Sequence, residues 1–391
     1  MTPATAHVPD AAPVTTGTVA LIVPGPEAAE LQEEFRRQGQ SYVTVTPPLH
    51  TLPLNASAPT VADTDTVLHQ SLRSTVRHLR ARGVSAVMPG SSLGLDLAAR
   101  LAEQLGLPGN EPSNSVLRRD RGAQASAWAR AGLSTARTQR SSGLPAAVRW
   151  AKFVALPELV VAPGDTSVSG PARVCAAHAD IAAAWTRMRT IAHRQSGSRH
   201  VVLQERIPGR QYTVRTTTHE GQHTVTEIWA LTHTPNGLRD FADLVPTHGL
   251  LHRSLTHLAQ QALTALGVQH GAMRIRIAHP EHGPVLLSAR LDVAPPPAQP
   301  ASRLHTRRVE LIAPADGTLN RRLLRSLHSL PTLSESSGEL RPGALVPRTI
   351  DHLTSPGTLT LTGGPAAVET DYQTVRSLEA RGLYNQVGGE L

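Results

Sequence analysis

The feature that most constrains the fold is an alternation of apolar β-type runs with segments of helical periodicity over residues 18–110. Residues 18–23 form an apolar run that predicts a strand. Residues 27–38 place Ala, Leu and Phe at helical spacing and end at Gly39, and residues 41–46 return to a strand pattern. Strands and helices that alternate in this way predict a parallel sheet. We therefore expect an N-terminal parallel α/β unit.

The pattern changes farther along the chain. Helical spacing predicts helices over residues 65–82, 95–105, 114–133, 250–266, 320–330 and 368–381. Strands are predicted over residues 84–88, 156–161, 172–175, 201–204, 212–218, 223–231, 273–278 and 284–291, with a Gly/Ser loop at 164–170. The later strands alternate apolar and polar side chains, which is typical of antiparallel pairing. We therefore expect an α/β protein whose central part is α+β.

Length and composition exclude several classes. The chain has 391 residues, too many for one ordinary core, and no apolar run of about 18 residues that could span a membrane. Its single Cys175 cannot form an internal disulfide, and the N-terminal residues lack the pattern of a secretion signal. We therefore expect a soluble protein with a cytoplasmic location.

The charge balance is unusual because Lys152 is the only lysine among 38 basic residues. The net charge is +8, but the arginines are scattered through the chain and form no basic block, which indicates a solvated basic surface. Nucleic acid is therefore not the expected partner. Any mechanism that needs two lysines, for phosphate binding or for a Schiff base, is excluded.

Five strings, at residues 83–110, 118–133, 201–214, 267–290 and 371–384, occur together in an order that resembles one known superfamily. In these strings the chain resembles the ATP-grasp superfamily, especially its carboxylate-amine ligases, which join amino acids or small acids through an acyl phosphate. The resemblance implies two central subdomains that grip ATP between two sheets. It implies an N-terminal α/β domain at 18–113, grasp subdomains at 114–203 and 204–298, and a C-terminal domain at 299–391. Residues 1–17 precede this region, and because the first of them mix Pro, Ala and Thr without hydrophobic periodicity, we expect a disordered leader there.

The resemblance also implies which residues would contact a nucleotide. Arg121 stands where similar ligases carry the lysine of Arg-Asp-Lys, and Glu205 stands at the hinge that seats the adenine. Gln204, Ile207 and Gln211 lie in the same string as Glu205, and Gln211 replaces an acid.

The second phosphate lysine of the family is missing from this chain. Similar ligases carry Lys-Pro after a strand, and this chain reads Ala162-Pro163. Lys152 lies ten residues earlier and cannot replace it without a shift of the strand register.

The metal ligands of the family are replaced as well. Arg276 stands where the first metal carboxylate would be, and the second motif, Glu-x-Asn-x-Arg, reads with Leu286, Ser288 and Arg290 at its three fixed positions. A guanidinium about 4 Å from a divalent ion would repel it by about 8 kcal/mol at an effective dielectric constant of about 20. We therefore expect no ordinary Mg²⁺ site. Arg290 would be catalytic only if the protein were active.

Other candidate sites are weaker. Asp292 could supply one metal ligand, but a salt bridge with an arginine is the favoured interpretation. His248 and His252 have the i,i+4 spacing of a zinc pair, but no acid or cysteine completes the set. With 19 histidines in the chain, some such pair is expected by chance.

Two hypotheses follow. The first is a pseudoenzyme that acts as an accessory or small-molecule-binding subunit in a biosynthetic pathway, with an anionic small molecule or a partner ligase subunit as partner and with self-association possible. The second is an active ATP-dependent carboxylate-amine ligase, and only this one implies Mg-ATP as cofactor. Arg274, Arg276 and Arg290 are predicted to share one face of a hairpin and to form an anion groove, and a polyanion such as RNA is a third, weaker alternative.

Overall fold

The computed structural model describes residues 17–25, 28–48, 65–168, 172–176, 178–294, 304–350 and 354–386. The strands are β1 (Thr18–Ile22), β2 (Tyr42–Thr46), β3 (Thr66–Leu68), β4 (Val84–Pro89), β5 (Thr138–Ser141), β6 (Leu159–Pro163), β7 (Arg173–Cys175), β8 (Val201–Glu205), β9 (Arg210–His219), β10 (Gln222–His233), β11 (Arg239–Leu244), β12 (Gly271–His279), β13 (Val285–Leu291), β14 (His305–Glu310), β15 (Gly317–Leu319), β16 (Leu333–Gly338), β17 (Leu345–Val346), β18 (Gly357–Gly363) and β19 (Tyr384–Gln386). The α-helices are α1 (Ala29–Arg37), α2 (Leu72–Ala81), α3 (Leu95–Leu105), α4 (Arg121–Arg130), α5 (Leu144–Val154), α6 (His178–Ser196), α7 (Leu250–Ala265), α8 (Arg321–His328) and α9 (Pro365–Ala380).

The N-terminal unit is a parallel sheet in the order β3-β2-β1-β4, as the alternation predicts. The predicted helix over residues 65–82 is wrong at its start. Thr66–Leu68 form β3, which pairs in parallel with β2, and α2 begins only after Ser71, whose hydroxyl accepts a hydrogen bond from the Ser74 amide. Ser71 is therefore the N-cap residue of α2, and the helix begins only after it. Residues 1–16 of the predicted leader lie outside the described residues.

A second, antiparallel sheet has the order β5-β8-β6-β7, and α5 and α6 pack against it. Neither helix is predicted by the sequence patterns considered above. The predicted helix over 114–133 is interrupted: Pro112–Arg118 form a 3-10 helix, and α4 begins after Asp120, which accepts a hydrogen bond from the Ala123 amide. The side chain of Asp120 therefore sets where α4 starts.

The largest sheet has eight strands in the order β13-β12-β9-β10-β11-β14-β18-β16, and all its described pairings are antiparallel. One face of β12 packs on the core beneath α4 and α7 through Met273, Ile275 and Ile277. The alternate side chains of β12 point to the opposite face. This opposite face forms the floor of the groove described below.

The C-terminal part packs α8 and α9 against β14 and β18. An ion pair anchors α9 to β11, because Arg376 lies 2.6 Å from the carboxylate of Asp240. The predicted boundary between the second grasp subdomain and the C-terminal domain, at residues 298 and 299, lies outside the described residues. Within the parts of the chain that the structure describes, no helix combines the length and the apolar character needed to cross a membrane.

Candidate functional site

A cavity of about 3440 Å³ is lined by the four-stranded antiparallel sheet, by the eight-stranded sheet and by α1 and β4 of the N-terminal unit. The part of it between the two antiparallel sheets is called the groove. Its walls include Val160 and Ala162 from β6, and its floor includes alternate residues of β9, β10, β12 and β13. The two sheets meet at β13. Gln204 on β8 donates a hydrogen bond to the Leu287 carbonyl at 2.9 Å, and the Ala136 amide donates to the Leu286 carbonyl at 3.1 Å.

The groove floor carries a cluster of arginines on β12 and β13. Arg274 pairs across the strands with Arg290, and Arg276 pairs with Ser288. Because Arg274 and Arg276 alternate with buried apolar residues, both project into the groove, and Arg290 lines it as well. The structure therefore places the three arginines of the predicted anion groove on one face.

Arg276 occupies the centre of this cluster. Its Nη2 donates to Gln211 Oε1 at 2.6 Å, and its buried Nε has no hydrogen-bond partner among the described residues. Burial lowers the pKa of Arg276 to about 10, and the nearby guanidiniums of Arg239, Arg121 and Arg290 act in the same direction. Arg276 is still protonated at neutral pH, since a pKa of about 10 lies well above 7. Its position makes this part of the floor strongly electropositive.

Arg274 differs from Arg276 because a carboxylate neutralises it. Asp292 Oδ1 lies 2.7 Å from Arg274 Nη2, and Asp292 Oδ2 lies 2.7 Å from Arg215 Nε. Arg215 also pairs with Glu227 at 3.0 Å. Asp292 is therefore the salt-bridge partner that the sequence analysis favours, and it does not face the groove as a free ligand.

Arg121 approaches the groove from the first residue of α4. It donates to the carbonyls of Pro163 at 2.5 Å and Asp165 at 3.3 Å. Burial lowers the pKa of Arg121 to about 10; the charge of Asp165 raises it, and that of Arg290 lowers it. The guanidinium is thus attached to the end of β6 and electrostatically coupled to the floor.

The remaining residues implied by the resemblance also line the groove. Gln204, Glu205, Ile207 and Gln211 lie at the end of β8, in the following turn and at the start of β9. Glu205 forms a two-point ion pair with Arg137, at 3.0 and 3.1 Å, and this pair lowers the pKa of Glu205. The carboxylate of Glu205 is therefore engaged within the protein.

The position of the missing phosphate lysine is filled by Ala162. It is buried on β6 and lines the groove. Lys152 lies exposed on α5 and is not among the groove residues. The structure thus keeps the only lysine of the chain away from the groove.

A β-bulge changes the interpretation of Leu286. The register shifts between Arg276 and Ile277, so that Leu286 pairs with Ile277, Ser288 pairs with Arg276, and Leu287 is the extra residue. Leu286 is fully buried in the core beneath α4 and α7, whereas Leu287 and Ser288 line the groove. Leu286, which the resemblance puts at a metal position, therefore does not face the groove, because a bulge puts two successive residues on similar faces. The groove residue is Leu287, which also lacks a carboxylate.

The groove also contains charged and titratable residues that were not singled out from the sequence, among them Arg239, Glu310 and His233. Arg239 pairs with Glu310 at 3.0 Å, and both line the groove next to His233. Desolvation lowers the pKa of His233 to about 4, together with the charges of Arg276 and Arg239, although the residue as a whole is exposed. Their position depends on the pairing of β10, β11 and β14, which no local sequence pattern shows.

The donor atoms of the floor do not suit a divalent ion. Mg²⁺ prefers carboxylate and other oxygen ligands, and the groove side of β12 and β13 presents guanidiniums, one hydroxyl and an aliphatic side chain. Among the described residues, no group of three or more His, Cys, Asp or Glu side chains could hold a metal ion. His248 and His252 lie near each other at the start of α7, but they are not part of such a group.

Comparison with solved structures identifies the architecture. An L-amino acid ligase from Bacillus licheniformis superposes with a TM-score of 0.70 at 15% identity, over 93% of this chain and 97% of that one. The N5-carboxyaminoimidazole ribonucleotide synthetase of Thermus thermophilus gives 0.62 at 14% identity, over 95% and 100%. The chain has the ATP-grasp fold. The ATP-grasp biotin carboxylase of Campylobacter jejuni, solved as a β-γ-ATP complex, gives 0.60 at 13% identity, over 95% and 98%. The sequence matches no family model and no curated protein.

Proposed function

We propose that this protein is an ATP-grasp-like pseudoenzyme that binds an anionic small molecule in its groove, as an accessory subunit in a biosynthetic pathway. One observation carries the proposal. Arg276 projects from the groove floor with an amide as its described acceptor, at a place where the resemblance implies a metal carboxylate. A cation fixed there favours an anion and disfavours Mg²⁺.

Three of the carboxylates that line the groove support this conclusion because each is paired with an arginine. Glu227 pairs with Arg215, Glu205 with Arg137, and Glu310 with Arg239. A carboxylate that moved to a metal would leave its arginine without a partner, which is costly where the pair is buried. The existing side chains therefore do not readily assemble into a metal site.

The proposal is tested by assaying ligase chemistry directly. Release of ADP and formation of amide product are measured with ATP, Mg²⁺ and a panel of L-amino acids, with the Bacillus licheniformis L-amino acid ligase assayed in parallel as the positive control. We expect no substrate-dependent ADP release from this protein. Release that depends on an amino acid and yields an amide would overturn the pseudoenzyme proposal.

The second candidate function is an active ATP-dependent carboxylate-amine ligase. It is favoured by the retained Arg290, which would then be the catalytic cation, and by the presence of Arg121 and Glu205 in the groove. In that case Arg290→Ala would abolish the amino-acid-dependent ADP release. A partner ligase subunit is tested by adding this protein to the candidate ligase and measuring the rate of the ligase, and self-association by sedimentation.

A further inference from the structure

We propose that the groove takes a phosphate-bearing ligand without a divalent cation, with the Arg276 guanidinium supplying the positive charge that a metal ion would otherwise supply. This inference rests on the proposed function and specifies its ligand class. The geometry that points to it is that Arg121 from α4 and Arg276 and Arg290 from the floor line the same groove. The charges of these three cations act on one another.

The charges of the cluster indicate a ligand with at least two negative charges. In the hydrogen bonds described, Arg121 donates to two backbone carbonyls and Arg276 donates to an amide oxygen, so uncharged groups accept both. Arg274, in contrast, is paired with Asp292. Asp165 and Asp120 offset part of the charge of Arg121, whereas the charges that act on Arg276 are all positive. With Arg121 and Arg290 beside it, Arg276 therefore suits a phosphate dianion or a pyrophosphate better than a monocarboxylate.

The orientation of Arg276 is already set for such a ligand. Gln211 holds Nη2, and Nε is buried with no described acceptor. A guanidinium offers several N–H groups in one plane, and this arrangement suits the oxygens of a phosphate group.

The cluster also explains why the ligand would bind without a metal ion. A divalent ion near Arg276 is repelled, and an ion that travels with the phosphates would cancel the charge that the arginines recognise. Magnesium is therefore expected to leave the affinity unchanged or to weaken it. This is opposite to the dependence expected for a groove that binds the metal through carboxylates.

The experiment is calorimetry with pyrophosphate and with ATP, each in EDTA and again with Mg²⁺ in place of EDTA, and with acetate as the monocarboxylate probe. We expect pyrophosphate to bind in EDTA and Mg²⁺ to bring no gain. Arg276→Gln should weaken the binding of pyrophosphate about tenfold or more, since a hydrogen-bonded charge is lost. Arg253→Gln removes the same charge from an exposed position on α7, beyond the core on the other side of the sheet, and should leave the affinity unchanged.

The outcomes separate this inference from the proposed function. Binding of pyrophosphate only with Mg²⁺, equal affinity for acetate, or no effect of Arg276→Gln would each overturn the inference. If acetate binds and Arg276→Gln weakens it while pyrophosphate does not bind, the ligand class is wrong and the anion groove stands. If none of these anions binds, both the phosphate-ligand inference and the proposed anion-binding function are overturned. The comparison of EDTA with Mg²⁺ uses the unaltered protein, so it holds even if a variant fails to fold.

Discussion

Arg215 and Asp292 form a buried ion pair, with 2.7 Å between Nε and Oδ2 and with both side chains less than one tenth exposed. Asp292 also binds Arg274, and Arg215 also binds Glu227. The four residues connect β9, β10, β12 and the end of β13 at the floor of the groove, which Arg215, Glu227 and Arg274 line. Because the charges are closely paired, the network can lie in the interior without the cost of an isolated buried charge.

Asp292→Asn should destabilise the protein strongly. The change removes one negative charge from a network with two arginines, and breaking a buried pair in this way typically costs about 3–5 kcal/mol. The free energy of unfolding in urea measures the effect. Glu339→Gln is the control, because the Glu339–Arg341 pair is exposed and should contribute about 1 kcal/mol or less. A loss at Asp292 no larger than that at Glu339 would contradict the prediction.

The same carboxylate should contribute to acid denaturation. Its pKa lies below the ordinary value of 3.8; burial opposes this shift, but the charges and hydrogen bonds of Arg274 and Arg215 exceed it. The unfolded chain therefore binds a proton at higher pH than the folded protein does. The stability from Asp292 is present above about pH 3.8 and is lost as the pH falls through the lower folded-state pKa.

Urea unfolding from pH 6 to pH 2.5 tests this dependence. The free energy of unfolding should fall less steeply at the acid end in Asp292→Asn than in the unaltered protein. Equal slopes in the two proteins would show that Asp292 does not contribute to the acid limb.

The bulge predicts different results at two neighbouring leucines. Leu286→Glu places a carboxylate in the core and should cost about 3 kcal/mol or more. Leu287→Glu places it at the groove surface and should cost much less. Thermal unfolding of the two variants gives the comparison, and a larger loss at Leu287 would mean that the bulge lies elsewhere.

Restoring the side chains that bind Mg²⁺ and the phosphates of ATP should require several substitutions together. Mg-ATP should bind weakly to the unaltered protein. Ala162 provides no cation for the phosphates, Leu287 provides no carboxylate for the metal ion, and Arg276 places a positive charge where the metal needs a negative one. Ala162→Lys, Arg276→Glu, Leu287→Glu and Ser288→Asn in combination should raise the affinity for Mg-ATP, whereas each change alone should not, since the groups act as a unit. Calorimetry measures the gain. A full gain from Ala162→Lys alone would argue that a metal site was already present.

The sequence predicts the floor of the groove better than its details. Arg274 and Arg276 alternate with Met273, Ile275 and Ile277, so a period of two is enough to place both arginines on one face. The bulge at Leu287 was not predicted, because an extra residue in one strand shows only when the partner strand is known.

Elements that depend on tertiary pairing were also missed. Thr66–Leu68 are too few to give a strand pattern and become β3 only through pairing with β2. Ser71, as a helix-capping residue, is the local signal that could have separated this strand from α2. Asp292 and Arg215 are 77 residues apart, so their pairing follows from the sheet order alone.

Arg276 differs from a bound ion in its origin. An ion must be acquired from the surroundings, and its occupancy follows the local supply. Arg276 is part of β12, held between the buried Ile275 and Ile277, so its charge enters the groove whenever the sheet forms. The electropositive character of the floor is therefore acquired in the folding step itself and stays in a fixed one-to-one ratio with the chain.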